Sequence, residues 1–376
     1  MPVPFPDETT VNLHPPDAAE TQLMARGVIS AIAPTGGPTE LQRTLVAAIT
    51  DAMTGFAMED VDEPITPREY AEGLARRAPE FRSRMVQFML LGALVLRPLP
   101  SEVADHIQAF AAELGVDDGM LHVAREFADG TLGLAALDFD RNGYSAEWAE
   151  DSHASLHTAQ PLAEAWEQSV HDPALAARWC ALETLPEGTL GRRVVDFYRA
   201  RGFVYPGQPG SAPPLLAQHD WVHVLADYGT RVESELEVFA FIARANDDPR
   251  AFSLLAMVVS LFETGYLRSG AGLFESDPGQ LSRDGVAIRL ADAMRRGALV
   301  TGSVDFLTVD WFDLAALSLD EARARFGLVP KRPAALAAGS VGPWQPGGIS
   351  DFQWQAGEEL AARRGVAYEP FGASVG

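Results

Sequence analysis

The most constraining stretch of this chain is His219-Asp-Trp-Val-His223-Val-Leu-Ala-Asp-Tyr-Gly-Thr-Arg-Val-Glu-Ser-Glu235. A helix turns once every 3.6 residues, so two histidines four apart project from one face, about one turn from each other. Glu235 follows His223 by twelve positions. On one straight helix that is ~18 Å of rise, too far for groups that must each come within about 2 Å of one metal ion. The sequence supplies a break. Asp227-Tyr-Gly-Thr230 reads as a helix stop with Gly229 as the left-handed cap. The chain can then return on a second helix and carry Glu235 back to the histidines. Two imidazoles with one or two carboxylates suit a divalent metal. Asp220, beside His219, is either a further ligand or an orienter of an imidazole N–H.

The second helix is expected over Val232–Ala245, apolar at Leu236, Phe239, Ala240 and Ala243. At 100° per residue, Glu235 falls on the side of Phe239 and Ile242. A charge there is costly unless paired or metal-bound. Glu233 and Glu237 can share a more exposed side. The pair His153 and His157 repeats the histidine spacing, but no second-helix carboxylate is as well placed, so it reads as solvated.

His219-Asp220-x-x-His223, eleven residues and then Glu235 resembles the signature of the ubiquinone (coenzyme Q) biosynthesis protein 4 family. Leu185-Pro-Glu-Gly-Thr-Leu-Gly191 with Asp196-Phe-Tyr and Gly202-Phe203 is similar to that family's segment just upstream. Asp310-Trp311 with Leu317–Gly327 is similar to its C-terminal helix. The resemblance spans roughly residues 175–330 and leaves residues 1–170 outside. It implies a metal held by His219, His223 and Glu235, with Asp220 as ligand or orienter, and a polyprenylated aromatic or isoprenoid lipid in an apolar cleft. It also implies loss of a ring carboxylate with hydroxylation at that carbon. Zinc suits two imidazoles and a carboxylate best, and iron and manganese are also accommodated.

Charge narrows the choice of partners. The net charge of −23 repels phosphate backbones, so nucleic acid is not expected as a partner. Peripheral membrane contact would have to be apolar or local. One cysteine, Cys180, precludes an intramolecular disulfide and reads as a small core residue. One lysine, Lys331, makes a lysine Schiff base an unattractive mechanism. The N-terminus lacks a signal-like apolar core, and the runs Met85–Leu96 and Ala251–Phe262 fall short of a bilayer span. The expected setting is cytoplasmic, at most peripheral to the inner membrane face.

Taken in order, the chain reads as all-α. An N-terminal helical bundle is followed by a second helical domain that carries the His-Asp-x-x-His…Glu site. Residues 1–38, rich in proline, are expected to form a flexible arm. Residues 39–150 form the bundle. Its signals are the capping box Thr66-Pro-Arg-Glu69 and the all-round apolar Met85–Leu96, stopped by Pro98 and Pro100. Asp138–Ser145 mimics a calcium loop, but Ala149 stands where that loop needs an acid, so it reads as a turn. Residues 151–330 form the second domain, with helices from Asp172-Pro173, over Arg192–Arg201, about Leu215–Asp227, Ser282–Arg296 and from Ser318. Residues 331–376 are expected as a tail with one short helix near Asp351–Arg364. No strong strand, nucleotide loop or repeat is evident. Leu254, Met257, Val258, Leu261 and Phe262 read as core that can also line a pocket for an isoprenoid tail. Arg289, Arg295 and Arg296 are candidates for the surface or an anionic ligand.

Three functional readings follow. The first is a metal protein of isoprenoid quinone biosynthesis that acts on or holds a polyprenylated aromatic precursor. The second is a non-catalytic lipid-binding scaffold for other quinone-biosynthesis proteins, with a structural metal; either reading is compatible with a homo-oligomer. The third is a metal phosphohydrolase, which would need an upstream histidine such as His171 and a downstream aspartate such as Asp305.

Overall fold

The computed structural model describes residues 15–59, 61, 63–96, 98–117, 172–212, 214–246, 249–259, 262–263, 267–269, 272–274 and 279–370. The chain divides into two compact units, residues 1–125 and 126–376. The expected boundary at 150, the pair His153/His157 and the calcium-loop mimic lie outside the described residues, as does His171.

The first unit is a bundle of α1 (Ala18–Ile32), α2 (Glu40–Thr54), α3 (Pro67–Gly73), α4 (Pro79–Leu94) and α5 (Ser101–Leu114). α1 corrects the expected arm. Asp17 caps it by accepting from the Glu20 amide, and Met24, Ala25, Val28, Ile29 and Ile32 make a buried stripe at helical spacing. The prolines that suggested a loop lie outside this span. Thr66 and Glu69 form the expected capping box. α4 buries every residue from Met85 to Ala93, as an apolar central helix must. Gln42, fully buried on α2, donates to the carbonyls of Ile32 and Gly92, both at 2.9 Å. One amide thus ties α2 to the end of α1 and to α4.

The second unit holds α6 (Pro173–Ala181), a short 3-10 turn, α7 (Leu190–Arg201), α8 (Pro214–Ala226), α9 (Val232–Ala245) and α10 (Pro249–Val259). A two-stranded hairpin follows, β1 (Leu267–Ser269) and β2 (Gly272–Phe274), antiparallel with Leu267 opposite Phe274. After it come α11 (Val286–Ala298), α12 (Trp311–Leu314), α13 (Leu319–Arg325), α14 (Pro333–Ala337) and α15 (Asp351–Arg364). The hairpin is the strand content among the described residues, so the architecture is helical.

α9 packs against α10 and α11, and α7 against α15. The core between them is aromatic. Trp311 lies parallel to Trp221 at 5.8 Å and to Phe306 at 5.9 Å. Gly297 lets α11 approach α9, since a Cβ there would stand 2.3 Å from the Phe241 carbonyl oxygen. Cys180 is exposed, contrary to the core reading. Its neighbour Trp179 takes the inward position, and one residue further is 100° around the helix. Among the described residues no helix is long and apolar enough to cross a membrane.

Residues 331–370 are built into the second unit and are not a loose tail. Thr230 N–H donates to the Gly348 carbonyl and Gly229 N–H to that of Val341, both at 3.0 Å. Ser350 caps α15 in a capping box with Gln353. The expected helix at Asp351–Arg364 is present, but it serves as a packing element against α7.

Candidate metal centre

α8 carries His219 and His223 and ends at Ala226. Asp227 takes the left-handed conformation, φ 64°, and the reversal begins there rather than at the expected Gly229. Aspartate is one of the few residues that tolerates this region. Gly229 is needed for closeness instead, because a Cβ on it would come 2.7 Å from the Gly348 Cα. α9 begins at Val232 with Glu235 in its first turn.

The break does what the spacing required. Glu235 Oε2 lies 3.3 Å from His223 Nε2 and 3.6 Å from His219 Nε2. One ligand atom from each residue falls within 4.8 Å of the other two. The three side chains are buried to 1% exposure or less. His219, His223 and Glu235 are therefore brought together as expected. Asp220 is equally buried but stands outside this group of three, with its Oδ1 3.9 Å from His219 Nε2.

The imidazoles are fixed from behind. His223 Nδ1 donates to the Gly229 carbonyl at 2.8 Å, and His219 Nδ1 bonds the Leu216 carbonyl. A carbonyl can only accept, so Nδ1 carries the hydrogen and Nε2 faces Glu235 with its lone pair. Flat contacts hold the rings in plane: Phe197 against His223 at 5.6 Å and Phe239 against His219 at 5.4 Å.

The buried polar atoms fit a cation. His223 Nε2 and both oxygens of Glu235 have no hydrogen-bond partner. Leaving such groups unsatisfied costs about 1–3 kcal/mol each and more when charged. A divalent ion between them would satisfy these atoms at once, and carbonyl-bound Nδ1 atoms are what metal-ligating histidines usually show. Burial alone would push the Glu235 carboxyl up. When no ion is bound and the His223 and His219 imidazoles are protonated, their charge and hydrogen bonds outweigh that and hold it well below the usual carboxylate range.

Other expected roles change. Glu237 is buried, not exposed, and takes Arg289 at 2.7 Å and the Ser340 hydroxyl. Arg296 is buried too, donating to the Ala226 carbonyl at 2.7 Å and that of Val329 at 2.9 Å. Arg295 pairs with Asp292 at 2.8 Å. Periodicity could not show that these three arginines of α11 fasten α8, α9 and the 329–340 segment. Of the lipid-pocket candidates, Val258 and Phe262 are buried. Leu254, Met257 and Leu261 lie outside the described side chains. Asp305 accepts from the Leu307 amide at 3.1 Å in its own turn and is not part of the group of three.

The contributions of Leu216, Gly229, Phe197 and Tyr198 were not read from the sequence. Backbone carbonyls carry no sequence signal. In the sequence, Phe197 and Tyr198 belong to the segment that resembles the quinone-biosynthesis family, and nothing in their spacing links them to the histidines.

No family model and no curated protein matches the chain. Among solved structures, a protein of Nostoc punctiforme PCC 73102, provisionally named as a ubiquinone biosynthesis protein, is similar at 18% identity. That similarity covers 66% of this chain and 97% of the other, with a TM-score of 0.30, too low to establish a common fold.

Proposed function

We propose that this chain is a metal-binding protein of isoprenoid quinone biosynthesis that acts on or holds a polyprenylated aromatic precursor. The observation that carries the metal is the convergence of His219, His223 and Glu235, all buried, with His223 Nε2 and the Glu235 carboxylate left without hydrogen-bond partners. The quinone assignment rests on the ordered motifs in the sequence, His219-Asp-x-x-His223…Glu235 with the segments at 185–203 and 310–327.

In this reading His219, His223 and Glu235 hold the ion, and zinc is the first choice, with iron or manganese as alternatives. A divalent cation so held supplies Lewis acidity toward a carboxylate or phenolate oxygen of the aromatic ring. Phe197 and Phe239 keep the imidazoles from rotating, and the buried position excludes water from the site. The scaffold reading requires instead a closed ligand shell with no position for an outside group.

Metal analysis of the purified protein beside His223→Ala and Glu235→Ala tests the reading. About one equivalent is expected in the wild type and a loss in both variants, with the helical circular dichroism retained. Turnover of a prenylated hydroxybenzoate by the loaded wild type then separates enzyme from scaffold. A wild type that stays metal-free after anaerobic, metal-supplemented purification overturns the reading.

A further inference from the structure

Arg192, Asp196 and Arg199 follow one another at four and three residues on α7, so they form one stripe of that helix. Phe197 and Arg201, which serve the candidate metal centre and the reversal, lie about 140° and 180° around the helix from Arg192. The stripe lines a cavity of about 450 Å³, completed by Leu360, Ala361 and Arg364 of α15 and by the 366–369 segment. That volume falls among those of small-molecule sites, about 300–1,000 Å³.

The cavity reverses the charge balance of the chain. The whole sequence sets 29 arginines and lysines against 52 aspartates and glutamates. Here Arg192, Arg199 and Arg364 face only Asp196 and Glu369. The arginines also keep donors in reserve. Arg192 donates to the Glu183 carbonyl at 2.8 Å and to Asp196 at 3.3 Å. Arg199 pairs with Glu183 at 3.0 Å, but its Nε is buried with no hydrogen-bond partner. Among the described residues the Arg364 side chain has no hydrogen bond or ion pair, although its charge acts on Glu183. A guanidinium carries five N–H donors, so most of these remain for a ligand.

The remaining wall is apolar and held in place. The Tyr368 hydroxyl donates to the Ala200 carbonyl at 2.8 Å, and its ring meets Trp354 edge-on at 5.4 Å. Gly357 allows this approach, since a Cβ there would stand 2.7 Å from the Tyr368 ring. Leu360, Val366 and Ala367 line the same cavity, and Val366 is 60% exposed.

We propose that the cavity between α7 and α15 binds an organic anion, a phosphate or carboxylate group carried on a small apolar body. Arg199 and Arg364 take the oxygens, for which planar guanidinium forks are suited. The side formed by Leu360, Val366 and Tyr368 takes the apolar part. This site is separate from His219, His223 and Glu235, and it stands without the metal reading.

The test is calorimetric titration of the full-length protein with phenyl phosphate, in the presence of a chelator so that no metal-bound phosphate contributes. Wild type, Arg364→Gln and Glu369→Gln are compared, with benzyl alcohol as the uncharged probe. Both substituted residues are exposed, and circular dichroism checks the fold. Phenyl phosphate is expected to bind the wild type at one site. Arg364→Gln should raise its dissociation constant about tenfold, since a charge-assisted contact is lost. Glu369→Gln should lower it, since a like charge is removed from the rim. No binding at millimolar phenyl phosphate overturns the proposal. So does equal affinity in wild type and Arg364→Gln, or benzyl alcohol binding as tightly as phenyl phosphate. Sedimentation with phosphatidylglycerol vesicles then distinguishes the sources. Pelleting that Arg364→Gln abolishes assigns the anion to a lipid headgroup, and phenyl phosphate binding without pelleting assigns it to a soluble molecule.

Discussion

Arg201 donates a hydrogen bond to the carbonyl oxygen of Gly348 at 2.9 Å, joining residues 147 apart in the chain. The same buried guanidinium reaches the Pro343 carbonyl at 3.1 Å and the Thr230 hydroxyl at 3.0 Å. It also lies over the Phe197 ring at 3.8 Å. Thr230 belongs to the reversal between α8 and α9, and Phe197 lies against His223. One side chain therefore couples the C-terminal segment, the reversal and the back of the candidate metal centre.

Arg201→Met keeps the stem and removes these donors. Two carbonyls and a hydroxyl would lose a charged partner inside the protein, at a cost of roughly 3 kcal/mol. The urea midpoint should fall accordingly, and metal affinity should fall with it, because the reversal that positions Glu235 loosens. A lowered midpoint with undiminished metal affinity would show that the reversal holds without Arg201.

Gly229→Ala adds a methyl group where 2.7 Å separates it from the Gly348 Cα. Backbone cannot rotate away as a side chain can. A destabilisation of about 1–3 kcal/mol is expected, as for an overpacked core. Gly229 also supplies the carbonyl that fixes His223, so metal binding should weaken in parallel. Equilibrium unfolding and metal titration of the same preparation check both effects.

The buried pair Glu237–Arg289, at 2.7 Å, gives a third prediction. Arg289→Met alone strands a buried carboxylate and should cost about 3–5 kcal/mol. Adding Glu237→Leu removes the stranded charge and should restore most of that loss. Chemical denaturation of the two single variants and the double variant measures the coupling. Additive losses would show that the pair does not act as a unit.

Lys331 sets a dependence on alkaline pH. Its side chain is 3% exposed, its ammonium has no hydrogen-bond partner and lies 3.9 Å from Asp227 and 4.8 Å from the centre of the Tyr228 ring. Burial lowers its pKa below the usual 10.5, despite the opposing pull of Glu237 and Asp227. A lowered lysine pKa means the unfolded chain binds the proton more tightly than the folded one. Its cost to stability is therefore fully present at neutral pH and fades as pH rises from the folded pKa toward 10.5. The urea midpoint of the wild type should gain on that of Lys331→Met over that interval. A constant difference between them would show that Lys331 does not deprotonate there.

The sequence alone determined the local structure of the site. Spacing of four placed His219 and His223 on one helical face, the Asp227–Thr230 stretch required a reversal, and the apolar stripe at Leu236, Phe239 and Ala243 placed Glu235 on the inner side of α9. These follow from helix period and burial cost, which act between near neighbours. α1 was also legible in principle from Asp17 and the stripe Met24–Ile32, but the surrounding prolines obscured it.

Tertiary structure decided what holds these pieces in register. That Glu237 is buried and Glu233 is not depends on Arg289 lying opposite. That Asp220 has the Tyr198 hydroxyl of α7 as a buried partner at 2.5 Å is likewise a tertiary contact. That residues 341–348 brace the reversal depends on Arg201, on backbone carbonyls and on the absence of a side chain at Gly229. Contacts between distant segments leave no period in the sequence, and carbonyl acceptors look the same at every residue. The chain thus announced the three residues that converge, while the contacts that fix their rings and backbone were left to the packing of neighbouring segments.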